Sequence, residues 1–141
     1  MEVHITESEG MMTARLVGRL DTPAAAEVTR EIQPLLDHAQ AMSLNLALEE
    51  AVSNVMLYAY PAGSEGRVDI ETVIRDDRID FRVIDSGVPF DPTAASDPDL
   101  AVDLKDRPIG GLGIYLVKRI MDEVSYTRQD GKNILSMTKK R

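Results

Sequence analysis

Residues 43–60, with the sequence SLNLALEEAVSNVMLYAY, are the stretch that decides the fold. They are mostly apolar and contain no Gly or Pro, which predicts a long helix. Pro61 ends this helix, and the loop sequence AGSEG follows it. The sequence on either side of the helix predicts strands and further helices.

Two runs of alternating apolar and polar residues follow the loop, at 67–74 and 78–85. Asp76 and Asp77 lie between them, so the runs predict an antiparallel hairpin with one buried face. Another hairpin is predicted near the end of the sequence. Two short extended runs, at 124–129 and 133–138, flank the turn Asp130-Gly131.

The first 40 residues predict a hairpin over 2–20, followed by a helix that begins at Asp21-Thr22-Pro23. A further helix is predicted after Gly110-Gly111-Leu112-Gly113, with Ile114, Val117, Ile120 and Met121 at helical spacing. We therefore expect one α+β domain over residues 1–141, a two-layer α/β sandwich with helices on one face of a mostly antiparallel sheet.

Composition excludes several classes of protein. The 16 basic and 24 acidic residues give a net charge of −8, which disfavours nucleic-acid binding through a broad basic surface. The absence of cysteine excludes disulfides, thiolate nucleophiles and cysteine-based zinc sites. The sequence begins without a basic head and apolar core, and it contains no apolar run of membrane-spanning length, so we expect a cytoplasmic protein.

Glu50 and Asn54 lie four residues apart, so they project from the same side of the long helix, roughly opposite Leu48 and Val55. An amide among apolar neighbours needs a partner. Mg²⁺ prefers oxygen ligands such as an amide oxygen and phosphate oxygens, and a nearby carboxylate can accept a proton. The alternative is a solvated helix face, or a hydrogen bond to a neighbouring loop.

Asp85 and Gly87 directly follow a predicted strand. A carboxylate at a strand end can accept a hydrogen bond from an exocyclic amine, and a glycine lets a planar ring approach the backbone, although such a pair also forms a simple turn. The residues from 85 to 108 include six Asp and predict a long, mobile acidic loop. Residues 110–113 begin a helix, where backbone N–H groups favour a phosphate or serve only as a cap. The negative charge of the acidic loop would repel a phosphate at this helix start. Bound Mg²⁺, or the side chains of Lys105 and Arg107 turned inward, would offset that repulsion.

The order of these parts resembles the ATP-binding domain of the GHKL superfamily, and within it the anti-sigma factor serine kinases of partner-switching systems. The resemblance covers residues 43–139. It implies a Bergerat-type ATP-binding fold with ATP and Mg²⁺ as cofactors, and phosphoryl transfer by positioning and charge neutralisation. It also implies a serine hydroxyl on a STAS-domain anti-sigma antagonist as the acceptor, sequestration of a sigma factor or similar regulator, and a homodimer.

The resemblance also implies roles for individual residues. Glu50 is the general base, and Asn54 is the Mg²⁺ ligand. The nucleotide would be held by Asp85 and Gly87 at the adenine, by Thr138 near the adenine, and by Gly110, Gly111, Leu112 and Gly113 at the phosphates. His4 and His38 lie in no recognisable phosphoacceptor helix, which disfavours autophosphorylation on histidine. The alternative function is a non-catalytic ATP-binding module that acts by sequestering its partner.

The N-terminal segment is similar to a second family. Residues 16–23, LVGRLDTP, resemble the opening of a STAS domain. Residues 1–40 are therefore either a divergent strand–helix segment of the ATP-binding domain or a STAS-like addition to it.

Overall fold

The computed structural model describes residues 2–8, 11–18, 38–61, 66–94 and 112–140. These residues form a six-stranded sheet and two helices. The strands are β1 (Glu2–Ser8), β2 (Met11–Gly18), β3 (Gly66–Ile74), β4 (Arg78–Asp85), β5 (Glu123–Gln129) and β6 (Lys132–Lys140). The helices are α1 (His38–Asn54) and α2 (Leu112–Ile120). The α+β class expected from the sequence is confirmed.

The sheet has the strand order β1-β2-β3-β4-β6-β5, and every neighbouring pair is antiparallel. All three predicted hairpins are present. The turn between β5 and β6 places Asp130 at φ 52° and Gly131 at φ 76°, the left-handed conformation that a two-residue Asp-Gly hairpin turn requires. Strand β6 lies between β4 and β5, so the C-terminal hairpin extends the sheet beyond the central hairpin.

One face of the sheet carries the hydrophobic core. Residues two apart on β3, β4 and β6 point to this face, as the alternation in the sequence predicts. Both helices contribute to the same cluster of buried residues. Its largest fully buried members are Phe81, Leu44, Leu48, Ile70, Ile79, Met137, Val52, Val68 and Val83. The sheet and helices therefore form the expected two layers.

The long helix differs from its predicted bounds. It begins at His38, five residues before the predicted start, because residues 38–42 are mostly good helix formers with no Gly or Pro. After Asn54 the winding widens into a π-helical turn, Val55–Ala59. Such turns are uncommon and occur often at functional sites. This one carries the end of the helix to the start of the loop after β4.

The loop expected over residues 85–108 is structured in its first part. Residues 86–91 connect β4 to a short 3-10 turn, Pro92–Ala94, and the carboxylate of Asp91 accepts hydrogen bonds from the backbone N–H and hydroxyl of Thr93. The rest of that loop lies outside the described residues. The helix predicted after Asp21 lies outside them as well.

The N-terminal hairpin continues the main sheet, since β2 pairs with β3 from Met11↔Val73 to Gly18↔Gly66. The similarity of residues 16–23 to a STAS domain stays a prediction. Neither helix in the described part of the chain has the length and apolar character to cross a membrane.

Candidate functional site

Two polar side chains lie at one end of the apolar face of the sheet. Asp85 is the last residue of β4 and Asn133 faces it from β6, in direct register. Asp85 is 5% exposed and Asn133 is 4% exposed. The Nδ2 group of Asn133 donates to Oδ1 of Asp85 over 2.9 Å. Buried polar groups need such partners, and this pair continues the same inward alternation as the apolar residues before it.

Asn133 is a functional candidate that the sequence analysis missed. Its Nδ2 also donates to the Val88 carbonyl over 2.8 Å, and its Oδ1 accepts from the Tyr126 hydroxyl over 2.6 Å. The backbone N–H of Phe90 donates to the same Oδ1 over 3.2 Å. The signal was available, because 133, 135 and 137 are the inward positions of β6 and only the first is polar. Asn133 thus joins β4, β5 and the loop after β4.

Burial raises the pKa of Asp85 above its ordinary value. Hydrogen bonds from Asn133 and from the Gly87 backbone N–H, together with the charge of Arg128, act in the opposite direction. The carboxylate therefore gains from any further donor that binds to it. Its Oδ1 already accepts from Gly87 N and Asn133 Nδ2, each over 2.9 Å.

Asn54 lies close to Asp85 and Asn133, at the same end of the apolar face of the sheet. It is 9% exposed, and its Nδ2 has no hydrogen-bond partner among the described residues. The expectation that it projects opposite Leu48 and Val55 is wrong for Asn54, because α1 is buried on several sides and Val55 lines the same cleft as Asn54. The solvated-face alternative therefore does not apply to it. An unpaired buried amide costs about 1–3 kcal/mol, which a ligand would recover.

A small cleft, with a cavity volume of about 20 Å³, brings these residues together. Its wall is mostly apolar, with a few polar groups, which is the usual composition of a small-molecule site. The lining residues are Ala51, Asn54, Val55, Ala59, Val83, Asp85, Phe90, Pro92, Tyr126, Asn133 and Leu135. Four elements thus supply its polar groups: Asn54 comes from α1, Asp85 from β4, Tyr126 from β5 and Asn133 from β6.

Glu50 lies against the beginning of α2. A Cβ atom added to Gly113, the second residue of α2, would overlap the Oε2 atom of Glu50. The missing side chain of Gly113 therefore leaves room for the Glu50 carboxylate at the first turn of the helix. The backbone N–H groups of this turn have no partner within the helix and favour anions.

Gly87 has a packing role. A Cβ atom at this position would overlap the Ala59 carbonyl oxygen and lie 2.8 Å from Ala59 Cβ. The close approach lets the Val88 N–H donate to that carbonyl over 2.8 Å, which satisfies the end of the π-helical turn. The Phe90 ring stacks on Tyr58 with 4.7 Å between ring centroids. The loop after β4 therefore packs against the π-helical turn that follows α1.

The structure does not bring Thr138 to this site. Its hydroxyl donates to Oδ1 of Asp80 over 2.8 Å, on the opposite face of the sheet. Thr138 lies five residues from Asn133 along β6, which is about 17 Å at the rise of a strand. The expectation of a threonine near the adenine is thus incorrect for Thr138, because an odd number of residues along a strand reverses the face.

Four predicted phosphate-site residues, Lys105, Arg107, Gly110 and Gly111, lie outside the described residues. Leu112 is the first residue of α2. The part of the site that the structure describes is therefore the cleft, together with the contact between Glu50 of α1 and Gly113 of α2.

Comparison with known proteins identifies the family. Residues 15–139 match the model of the histidine kinase-like ATPase domain. The chain is 32% identical over 96 residues to the serine/threonine-protein kinase BtrW of Bordetella bronchiseptica, a match that covers 68% of each protein. It is 31% identical over 100 residues to the serine-protein kinase RsbW of Listeria monocytogenes, covering 68% of this chain and 63% of that protein.

A solved structure shares the fold. It contains the RsbU and RsbW domains of a Mycobacterium tuberculosis protein, and its similarity covers 90% of this chain and 33% of that one, with a TM-score of 0.54 and 19% sequence identity. The chain belongs to the histidine kinase-like ATPase domain family and is homologous to the RsbW and BtrW serine kinases.

Proposed function

We propose that this chain is an anti-sigma factor type protein-serine kinase that binds Mg–ATP in the cleft. The observation that supports it best is the meeting of Asn54, Asp85 and Asn133 in one apolar cleft. Asp85 would accept a hydrogen bond from the adenine amine. The backbone at the start of α2 would hold phosphate oxygens, together with Gly110 and Gly111.

Asn54 fits a magnesium ligand. Its amide is nine-tenths buried and lines the cleft, and an amide oxygen is a ligand class that Mg²⁺ accepts. When bound, Mg²⁺ would neutralise charge on the phosphates. The protein would contribute one ligand and leave the remaining positions to phosphate and water.

In the proposed reaction, the oxygen of a serine hydroxyl attacks the γ-phosphorus of ATP. The bond from that phosphorus to the β–γ bridging oxygen breaks, ADP leaves, and the hydroxyl proton passes to Glu50. The position of Glu50 beside the first turn of α2 supports this role, because that helix start is where phosphates are expected. The proposed acceptor is a STAS-domain anti-sigma antagonist.

The proposed cellular role is sequestration of a sigma factor or similar regulator by a cytoplasmic homodimer. The net charge of −8 favours partners with basic contact surfaces over nucleic acid. The relatives' names give a kinase activity for those proteins, and the matches with the two kinases named above cover 68% and 63% of their lengths.

The first test is calorimetric titration with ADP, with and without Mg²⁺. We expect magnesium-dependent binding in the micromolar range, about −8 kcal/mol, and its loss in Asn54→Ala. Asn45→Ala is the matched control, because Asn45 lies on the same helix and donates to Glu49 away from the cleft. Failure of the wild-type protein to bind ADP would refute the proposal.

Glu50→Gln separates the kinase from a non-catalytic module. We expect the variant to bind ADP normally and to lose phosphoryl transfer to a STAS-domain protein by about 10²–10⁴-fold. If Glu50→Gln keeps full activity in releasing the sequestered regulator, while Asn54→Ala and Asp85→Asn lose it, the chain is an ATP-dependent binding module.

A further inference from the structure

The amide of Asn133 is fixed in one orientation by its neighbours. Three donors meet its Oδ1: the Tyr126 hydroxyl at 2.6 Å, the Phe90 N–H at 3.2 Å and Nη1 of Arg128 at 3.2 Å. Two acceptors meet its Nδ2: Oδ1 of Asp85 at 2.9 Å and the Val88 carbonyl at 2.8 Å.

A rotated amide would be strongly disfavoured. Its NH₂ group would face the N–H groups of Phe90 and Arg128, and its oxygen would face a carboxylate and a carbonyl. Arg128 is itself held, because the same Nη1 donates to the Gly87 carbonyl over 2.9 Å. The β5 side chains thus determine which atom of Asn133 faces Asp85.

This orientation decides what Asp85 can offer to a ligand. Oδ1 of Asp85 accepts from Asn133 Nδ2 and from Gly87 N, whereas Oδ2 accepts no hydrogen bond from the described residues. The five contacts that Asn133 makes with the described residues use both its N–H groups and its oxygen, so they leave no group of the amide for a ligand. Asn133 therefore acts through Asp85.

We propose that Asn133 is a positioning residue for nucleobase selection, which occupies Oδ1 of Asp85 and leaves Oδ2 as the acceptor in the cleft. A base with an exocyclic amine at this point donates to Oδ2, and a base with a carbonyl there meets an acceptor. Arg128 and Tyr126 hold Asn133 in the required orientation. The inference rests on the proposed function, binding of an adenine nucleotide in this cleft.

The test compares ADP with inosine diphosphate (IDP), which carries a carbonyl in place of the amine. Titrations with Mg²⁺ near neutral pH should show that the wild-type protein prefers ADP by about tenfold or more, the worth of one hydrogen bond to a carboxylate. In Asn133→Asp a second carboxylate faces Asp85, so we expect the preference to fall to near one. The affinity for IDP should change by less than about threefold, because the phosphate end is untouched.

Asn45→Asp is the matched control. It also converts an amide that donates to a carboxylate, here Oε1 of Glu49 at 3.2 Å, into a carboxylate. This variant should keep the wild-type preference. If Asn133→Asp does not fold, the double variant Tyr126→Phe, Arg128→Met tests the same point from β5, because it removes two of the three donors to Oδ1. We expect its preference to fall by at least about threefold.

The outcomes are separable. A folded Asn133→Asp that keeps the wild-type preference, or that weakens ADP and IDP equally, overturns the inference and indicates a merely structural role. The same holds for an unchanged preference in the double variant. Equal affinity of the wild-type protein for ADP and IDP also overturns it but leaves the proposed function standing. A wild-type protein that binds neither nucleotide refutes the proposed function itself.

Discussion

Replacing Gly113 with alanine should separate nucleotide binding from phosphoryl transfer. The added Cβ atom would overlap Oε2 of Glu50, yet it would lie 3.4 Å from Cδ and 3.7 Å from Cβ of the same residue. Only the tip of Glu50 therefore has to move. Alanine keeps the backbone N–H at the start of α2, so a phosphate held there loses no donor.

The size of the effect follows from the displacement. Restoring an ordinary contact requires the carboxylate oxygen to retreat by about 1 Å, and a misplacement of this size costs about 100-fold in rate. This corresponds to about 2.7 kcal/mol in the activation free energy. Alanine is also a better helix former than glycine by about 1 kcal/mol, which offsets the local crowding and keeps Gly113→Ala folded.

The assay measures phosphate transfer from labelled ATP to a STAS-domain protein, alongside ADP affinity by calorimetry. We expect transfer to fall by about 100-fold and affinity to change by less than about threefold. Gly131→Ala is the control, because Gly131 lies in the β5–β6 turn at φ 76° with nothing within 4 Å of an added Cβ atom. It should lose about 1 kcal/mol of stability and keep transfer. Full transfer activity in Gly113→Ala would refute this positioning of Glu50.

Further outcomes are expected for Asp85, Thr138 and Tyr60. Burial raises the pKa of Asp85, with hydrogen bonds from Asn133 and Gly87 and the charge of Arg128 opposing it, so ADP affinity should weaken as the pH falls through this raised pKa. Asp85→Asn should bind ADP weakly at every pH. The raised folded-state pKa means that ionisation of Asp85 destabilises the ligand-free protein as the pH rises. The Tm of Asp85→Asn near neutral pH should therefore equal or exceed that of the wild type. Thr138→Val should leave ADP affinity within about twofold and cost about 1 kcal/mol in urea unfolding. Burial alone would raise the pKa of Asp80, but hydrogen bonds from Arg75, Thr138 and Arg78 hold it below its ordinary value. Thr138→Val removes one of these bonds and brings the folded-state pKa closer to the unfolded one, so the variant should lose less stability than the wild type on acidification. Tyr60→Phe should cost about 1 kcal/mol in the same assay, because the phenol accepts from Ser86 N over 3.1 Å and donates to a carbonyl of β3.

The strands and helices in the described part were largely predictable because their signals are local. Alternation in residues 67–74 and 78–85 gave the central hairpin, and Asp130-Gly131 gave the turn between β5 and β6. The position of Asp85 at a strand end was also predictable. The π-helical turn had no such signal, since nothing in the composition of Val55–Ala59 distinguishes it from an ordinary helix.

The polar contacts of the site depended on tertiary packing. Asn54 was expected opposite the apolar residues of α1, but the sheet and α2 surround much of that helix, so its polar side chain is enclosed as well. The family resemblance places Thr138 near the adenine, whereas its odd spacing from Asn133 along β6 puts it on the opposite face of the sheet. Asp85, Asn133 and Leu135 share one face of the sheet, so alternation along β6 places Asn133 beside Asp85.

Strand order has a consequence for how the protein is made. Strand β6 is later in the chain than every other described element, yet it lies inside the sheet, between β4 and β5. It also supplies Asn133, 48 residues after the carboxylate that this residue contacts. On the ribosome, a nascent chain that has emerged only as far as α2 would lack this wall of the cleft. Nucleotide could therefore assist folding only after the C-terminal hairpin has been synthesised, and long-range pairing of this kind forms slowly.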